Sequence, residues 1–590
     1  MYGYVCYNVI MAFIRITKNK EGRQHVYLVE GYRENGKVKQ RIIHKYGLLD
    51  ELEAQEPGIL ERLKREVKEN AKIDPDQLTV NYSLQEPMNR PDLKFGWKIL
   101  DDLFSTLKLH RFFSVSSPDM NLTNVTRLLV FQRILKPNSK LKTYISQAEL
   151  FGQWDVSYNS IYRSLDRLDE LKTKLQQHLH HEMTNLTHRK ATLVFYDVTN
   201  YYFEVDVPDE DLVDDEGNII VEGLRKRGAS KEHRRDPIVQ LGLFMDANGI
   251  PISYRLFQGN FSDPKTYIPA IRQVKEQFGI ERLVVVADKA MNSANNLLEM
   301  VSKEDGWIFS QKHRGRRGAP KDIQEQILDV NHWEFNRSMT FAKKSFIRTR
   351  KLGTGRQAPE VKEKVLITRN EKYAIREKIR REGALDYANQ LRKAELYRQT
   401  SKKGGKKYLD VTYIDPNTGE IIPYSPIIEI NQKEVDFDAQ FDGINVLVTS
   451  EIEKEDDEIL AAYQELSRIE DCFRVTKTEF DSRPVYVRKP SHIEGHFLIC
   501  FMALTLMRLL QHAINWKMSP RKIIEALNSM EATSLTQGFY RVQQNQHMDE
   551  LNQYLGIDWK NGIVRYEDLN QYGKHCIHNT LKRKNTSDKR

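Results

Sequence analysis

The stretch ATLVFYDVTNYYFE, residues 191–204, places one carboxylate, Asp197, in the middle of a run of β-branched and aromatic side chains. Strand propensity and burial both disfavour an aspartate there unless it is paired or bound to a cation. Two further strand-like runs follow, PIVQLGLFMDANG (237–249) and IPISYRLFQGN (250–260), separated by a turn at Asp246-Ala-Asn-Gly249. A helix is predicted over 263–278. RLVVVADKA (282–290) is then an apolar strand closing on Asp288, ahead of a helix that opens near Ser293. Its continuous LVVVA run fits a strand covered by helices on both faces. Asp288 points toward the strand's carboxyl end, where α/β sheets hold ligands. If the two strands are neighbours, Asp197 and Asp288 lie close enough to need compensating charge. A divalent ion held by hard oxygen ligands, Mg2+ or Mn2+, is the usual source. For either aspartate alone, a strand-end cap or turn position is an equal reading.

Three strands, a helix, a strand and a helix is the order of a ribonuclease-H-like domain. The predicted fold class is α/β, with such a catalytic core at 191–312 and 441–515 interrupted by a large, basic, strand-rich insertion at 313–440. Before it come a small β module (1–50, with a hairpin turn at Asn35-Gly36), a connector (51–92) and a helical domain (93–190). A C-terminal helical region with a basic tail (516–590) follows, and its end, LKRKNTSDKR, is expected to be disordered. Within the helical domain, SQAELFGQWDVSYNSIYRSLDRL (146–168) resembles a helix-turn-helix, with a turn at Phe151-Gly152 and a second helix capped by Ser157. That helix would offer Tyr158, Asn159, Tyr162 and Arg163 to DNA; an ordinary pair within a bundle is the alternative.

A second informative stretch is YQELSRIEDCFRVTK, Tyr463–Lys477. Read as one helix, it sets Tyr463, Glu470 and Lys477 seven residues apart, a spacing that drifts only about 20° around the axis. Ser467 and Arg474 share that polar stripe, beside an apolar stripe of Leu466, Ile469 and Phe473. The helix docks by its apolar side and holds a carboxylate flanked by an aromatic hydroxyl and cations; a solvated salt-bridge face is the competing reading. Between the first two strands, RKRGASKEHRRDP (225–237) crowds Lys231, Arg234 and Arg235 with three further cations, suited to backbone phosphate contact.

The length of 590 residues suggests about three or four domains. No apolar run approaches the about 20 residues that span a bilayer, and MYGYVCYNVIMAF lacks the basic start of a secretory signal, so the expected location is cytoplasmic. Met11, just ahead of AFIRI, is an alternative start. Cys6, Cys472, Cys500 and Cys576 lack metal or disulfide spacing, and neither His178, His180, His181 and His188 nor His492 and His496 make a convincing zinc set. No Gly-x4-Gly-Lys-Ser/Thr motif exists to bind ATP. Residues 301–410 hold 28 Lys and Arg against 14 Asp and Glu, +14, leaving −5 on the rest of a chain whose net charge is +9. Such a local field favours a polyanion, of which nucleic acid is the commonest. Trp333, in this segment, is a candidate for stacking on an unpaired base, with a core position the favoured reading.

Together these residues resemble the DDE-class transposases of insertion sequences, in the branch marked by a Tyr-x2-Arg-x3-Glu-x6-Lys helix. Tyr463, Glu470 and Lys477 fall in that register, and Leu466 stands where the pattern has arginine, a role Arg468 or Arg474 is placed to take. The stretches YDVT, GASKEHRRDP, QGNFSD and VVVADKAMNS are also similar to the family's, with Asp288-Lys-Ala-Met291 departing mildly from its Asp-Arg-Gly-Met. The resemblance implies Asp197, Asp288 and Glu470 as catalytic residues and as ligands of two Mg2+ or Mn2+ ions, with Tyr463, Arg474, Lys477, Lys231, Arg234 and Arg235 on DNA. Glu470 is preferred over Glu465, Asp471 and Glu479 because only it lies seven residues from both Tyr463 and Lys477. The implied activity is metal-dependent cleavage at terminal inverted repeats and strand transfer, by a homodimer in a synaptic complex on double-stranded DNA in the bacterial cytoplasm. A stand-alone nuclease and an inactive DNA-binding protein of the same fold remain alternatives.

Overall fold

Strands Val9–Lys18, Gln24–Glu34 and Lys37–Leu48 pair as an antiparallel sheet, followed by helices Leu49–Gln55 and Ile59–Asn70. The computed structural model describes residues 9–18, 22–34, 37–70, 92–118, 121–315, 319–353, 357–392, 403–412, 427–535, 538–559 and 562–587. The Asn35-Gly36 turn and Cys6 lie outside the described residues. Two compact units form, residues 1–89 and 90–590.

The second unit is built on a nine-stranded mixed sheet. From one edge its order is Pro251–Gln258, Ile238–Asp246, Leu193–Tyr202, Val284–Ala287, Gly306–Ser310, Ile444–Thr449, Glu360–Asn370, Phe341–Lys351 and Glu334–Phe335. The first three are antiparallel, and Val284–Ala287 runs parallel to both its neighbours. This arrangement is consistent with a ribonuclease-H-like core. The 313–440 segment does not stand apart as a second sheet. Its strands at 334–335, 341–351 and 360–370 lengthen the core sheet, joined to it through Ile444–Thr449. Outside that sheet, Leu409–Thr412 pairs with Ile427–Ile430 against helix Glu371–Arg392.

Period-2 alternation gives the sheet two buried faces. Val194, Tyr196, Val198, Val285 and Ala287 face one core with helices Asp263–Phe278 and Ala294–Ser302. Phe195, Tyr201, Val284, Val286 and Ile308 face the other, filled by helices Leu122–Leu135, Tyr158–Thr187 and Pro490–Ala513. The hairpin between Ile238–Asp246 and Pro251–Gln258 is pinned by Arg189 Nε on Asp246 Oδ2 at 2.5 Å, both side chains 1% exposed. Arg189 also donates to the Pro251 carbonyl, and Gly249 takes a φ of +80° in the turn.

Helix Pro490–Ala513 overturns the expectation that no segment reaches membrane-spanning length and apolarity: by composition it does. Its side chains from His496 to Ala513 are all buried within the protein, which is where that apolarity is used. The C-terminal helical region also contains strands. Strands Glu531–Ser534, Phe539–Val542 and Ile563–Arg565 form a sheet with Asp92–Lys94, tying both ends of the unit together. Most of the segment expected to be disordered belongs to helix Cys576–Ser587, with Ile577 and Leu581 buried. Buried Asp102 accepts from the backbone of His575 and Ile577, satisfying orphan amides at that helix's start.

The helix-turn-helix-like stretch has its Ser157 cap on Ser160 and a positive φ at Gly152, but Phe151 is buried and the second helix runs the full Tyr158–Thr187. A helix of 30 residues packed along Pro490–Ala513 is a scaffold element. Asn159 and Arg163 are exposed at its start, while Tyr158 and Tyr162 are half-buried against each other.

Candidate active site

The pleat decides where the two aspartates point. Asp197 alternates with Phe195 and Tyr201, and Asp288 continues the alternation of Val284 and Val286, so both project from one sheet face. Val286 pairs with Phe195 on one side and with Ile308 on the other. Continuing that parallel register by two residues sets Asp288 between Asp197 and Ser310. Neighbouring strands lie about 4.8 Å apart, which makes these three side chains immediate neighbours. Ser310 Oγ donates to Asp288 Oδ1 at 2.8 Å, and the same oxygen accepts from Lys289 N at 2.7 Å.

Asp197 is partly buried and its Oδ1 accepts from Val198 N at 2.7 Å. Burial pushes its carboxyl up to about 6; Lys231 and the Val198 amide oppose the rise, and Asp263 and Asp288 reinforce it. Asp263, at the first turn of helix Asp263–Phe278, is thus a further acid beside the pair, at a position where sequence alone shows only a helix start.

The stretch Tyr463–Lys477 is not one continuous helix. Asp456–Gln464 ends, Ser467–Arg474 begins, and Val475–Glu479 widens into a π turn. Between the helices Leu466 N bonds Tyr463 O and Ile469 N bonds Leu466 O, the tighter i→i−3 pattern. Tight turns advance the phase and wide turns retard it, so the two irregularities offset one another. Leu466, Ile469, Cys472 and Phe473 are buried on the face of the sheet that carries Asp197, and Glu470 is exposed. Tyr463 hydrogen-bonds Ser310; burial raises its phenol, and Asp288, Glu470 and Asp197 add to the rise. One tyrosine therefore senses all three carboxylates.

Lys477 Nζ lies 3.2 Å from Glu232 Oε1 and over the Tyr201 ring. Glu232 also pairs with Arg483 and accepts from Asn200 Nδ2 at 2.7 Å. Burial favours its neutral form, but Asn200, Lys477 and Arg483 outweigh this and hold its carboxyl below the usual range. Gly228 and Gly259 bring this loop in: a Cβ on Gly228 would meet the Gly259 carbonyl at 1.9 Å. Lys231 donates to the Val198 carbonyl at 2.5 Å, beside Asp197. Arg234 is exposed, stacked over Tyr202 at 4.0 Å, and Arg235 is exposed. Arg474 turns to Asp471 at 2.6 Å and Glu479 at 3.5 Å, and Asp471 also binds buried Arg508. Arg468 pairs with Glu465 and stacks on Trp516. Trp333 is partly buried against the core that holds Val194, Tyr196 and Val285, its Nε1 donating to Asp329 O at 3.0 Å.

Among the described residues no three His, Cys, Asp or Glu side chains converge tightly enough to hold a metal ion. The donor set nevertheless fits a hard divalent cation: carboxylate oxygens only, with Asp263 and Asp288 crowding an Asp197 that burial already disfavours as an anion.

The sheet is consistent with a ribonuclease-H-like core, and it sets Asp197 on one strand and Asp288 just past the end of the neighbouring parallel strand, on one face, as oxygen ligands suited to a divalent ion. Residues 205–506, about half of the chain, match the Transposase DDE domain, a catalytic transposase domain; the span includes Asp288 and Glu470 and begins beyond Asp197. Residues 14–79, over the N-terminal sheet and its helices, match the N-terminal domain of IS1634 family transposases. The chain belongs to the IS1634 family of DDE transposases, enzymes of DNA transposition that generally use divalent metals. No curated protein matches it.

Proposed function

We propose that the protein binds the terminal inverted repeats of its insertion sequence, cleaves at their boundary and joins the freed end to target DNA, in cut-and-paste transposition. Asp197, Asp288 and Glu470 are assigned as the ligands of two Mg2+ or Mn2+ ions. When bound, such ions supply a nucleophilic oxygen at neutral pH and neutralise charge on the leaving oxygen. The observation that carries this reading is the shared face of Asp197 and Asp288, with Tyr463 reaching Asp288 through Ser310 and Glu470 on the helix that follows the one carrying Tyr463.

The chain's own groups do the positioning. Ser310 orients Asp288, and the Val198 amide orients Asp197. Lys477, Arg483 and Lys231 present positive charge on the Asp197 side, suited to the bridging phosphate and its neighbours. The Tyr463 hydroxyl donates to a phosphate oxygen, and Tyr463, Glu470 and Lys477 act as the signature helix of their branch, with Arg483 supplying the cation that Leu466 does not. Joining two ends requires both to be held at once, so the working form is a homodimer on double-stranded DNA in the bacterial cytoplasm.

Strand joining separates this reading from a stand-alone nuclease. Purified protein with Mn2+, a pre-cleaved labelled end and a supercoiled plasmid should transfer label to the plasmid. Cleavage of intact ends with no joining would favour the nuclease.

A further inference from the structure

Lys140 is 7% exposed, and among the described residues it makes no ion pair and no side-chain hydrogen bond. It lines a cavity of about 420 Å3 together with Arg133, Asn138, Ser139, Lys142 and His496, and with the loop from Asp481 to Val487. Arg133 is equally buried, and its guanidinium donates to the carbonyls of Phe480, Asp481 and Asn138, so its charge is held in place without a carboxylate. His496 is buried beside these two cations, which with desolvation keep its ring neutral. Asp481 lines the rim but is exposed to solvent. A buried ammonium without a counter-ion is costly, and burial with Arg133 alongside lowers Lys140 to about 7. An anion in the cavity removes that cost.

We propose that this cavity is a phosphate-binding site, separate from the carboxylate site, in which Lys140 ion-pairs the bound group and Arg133 supplies field. Ser139 and Asn138 carry further N–H and O–H donors to the same space, and exposed Lys142 stands at its mouth. Phosphate is favoured over a carboxylate ligand because two cations with several neutral donors match a tetrahedral oxyanion. The cavity shares its loop with the carboxylate site: Arg483 leaves the 481–487 segment toward Glu232 and Lys477, and Val485 N bonds Tyr202 O at the end of the Asp197 strand. A phosphodiester of a DNA strand running past Lys477 is one source of the group, and free phosphate is the other.

The test uses the full-length protein and its Lys140→Met variant, in orthophosphate or in chloride at equal ionic strength. Expected is a phosphate-specific rise in the melting temperature of the wild type that Lys140→Met loses, with the variant the more stable of the two in chloride. If the source is DNA, Lys140→Met also lowers the slope of log affinity against log salt for duplex by about 1. An unchanged slope beside lost phosphate stabilisation assigns the site to free phosphate. Equal melting in phosphate and chloride by the wild type, with unchanged DNA binding by the variant, overturns the proposal. Lys140→Arg, which keeps the charge, should retain the phosphate response and guards against a folding defect in the methionine variant.

Discussion

Glu232 Oε1 stands 3.2 Å from Lys477 Nζ and also binds Arg483, so two cations assigned to DNA are held by one carboxylate of the same chain. A phosphate entering this space competes with Glu232 for them.

Glu232→Gln should therefore strengthen binding to non-specific duplex, by roughly tenfold at low salt, and steepen the salt dependence by about 1 to 2 as the freed cations neutralise phosphates. Binding titrations at several salt concentrations check this; weaker binding by the variant would mean that Glu232 serves to position Lys477. Lys477→Ala, by contrast, should weaken DNA binding while leaving metal binding intact.

Ser310→Ala removes the donor that orients Asp288 and the partner of Tyr463 in one substitution. Loss of such a supporting bond typically costs about 10- to 100-fold in metal affinity or activity. The expected result is a shift of the Mn2+ dependence of cleavage to higher concentration, with fold and DNA binding retained.

Asp197→Asn should abolish cleavage yet raise the stability of the metal-free protein by about 1 kcal/mol, because it removes an anion that burial, Asp263 and Asp288 all disfavour. Thermal unfolding in chelator shows this directly. A large loss of stability would mean that Asp197 is held chiefly by its pairing within the fold.

Lys140 gives a pH signature. Its folded-state value, about 7, lies below the ordinary 10.5, so the unfolded chain binds more protons between these values and stability rises with pH across that window. The groups facing it are Arg133 from one helix, His496 and Cys500 from another, and Asp481 from the loop. In phosphate-free buffer, wild type should gain on the order of several kcal/mol from about pH 7 to 10 relative to Lys140→Met, read from denaturant unfolding at each pH.

The core was legible because its chemistry contradicts its pattern. Asp197 inside LVFYDVT and Asp288 closing LVVVAD are anomalies in apolar strands, and both lie on one face once the strands are adjacent. Ser310 obeys the same period-2 rule from Ile308, but the sequence alone does not say which strands are neighbours, so its place beside Asp288 was not readable. Glu232 and Asp263 were hidden for another reason: one sits in a basic run that reads as phosphate contact, the other at a helix start where an acid is ordinary. The interruption at Glu465–Leu466 leaves no Gly or Pro to announce it. The C-terminal sheet depends on pairing Glu531–Ser534 with Asp92–Lys94, a contact across more than 400 residues that no local pattern carries. Helix Cys576–Ser587 read as a polar tail because few of its side chains are apolar, and Asp102 and the neighbouring core hold it in place.

The most direct test of the carboxylate site is cleavage of a labelled duplex carrying the ends that flank the coding region, with Mn2+, by wild type and by Asp197→Asn, Asp288→Asn and Glu470→Gln. Cuts at the repeat boundary are expected from wild type and from none of the variants, each still folded and binding the duplex. Metal-dependent cleavage surviving in any one of the three would contradict the three-carboxylate assignment.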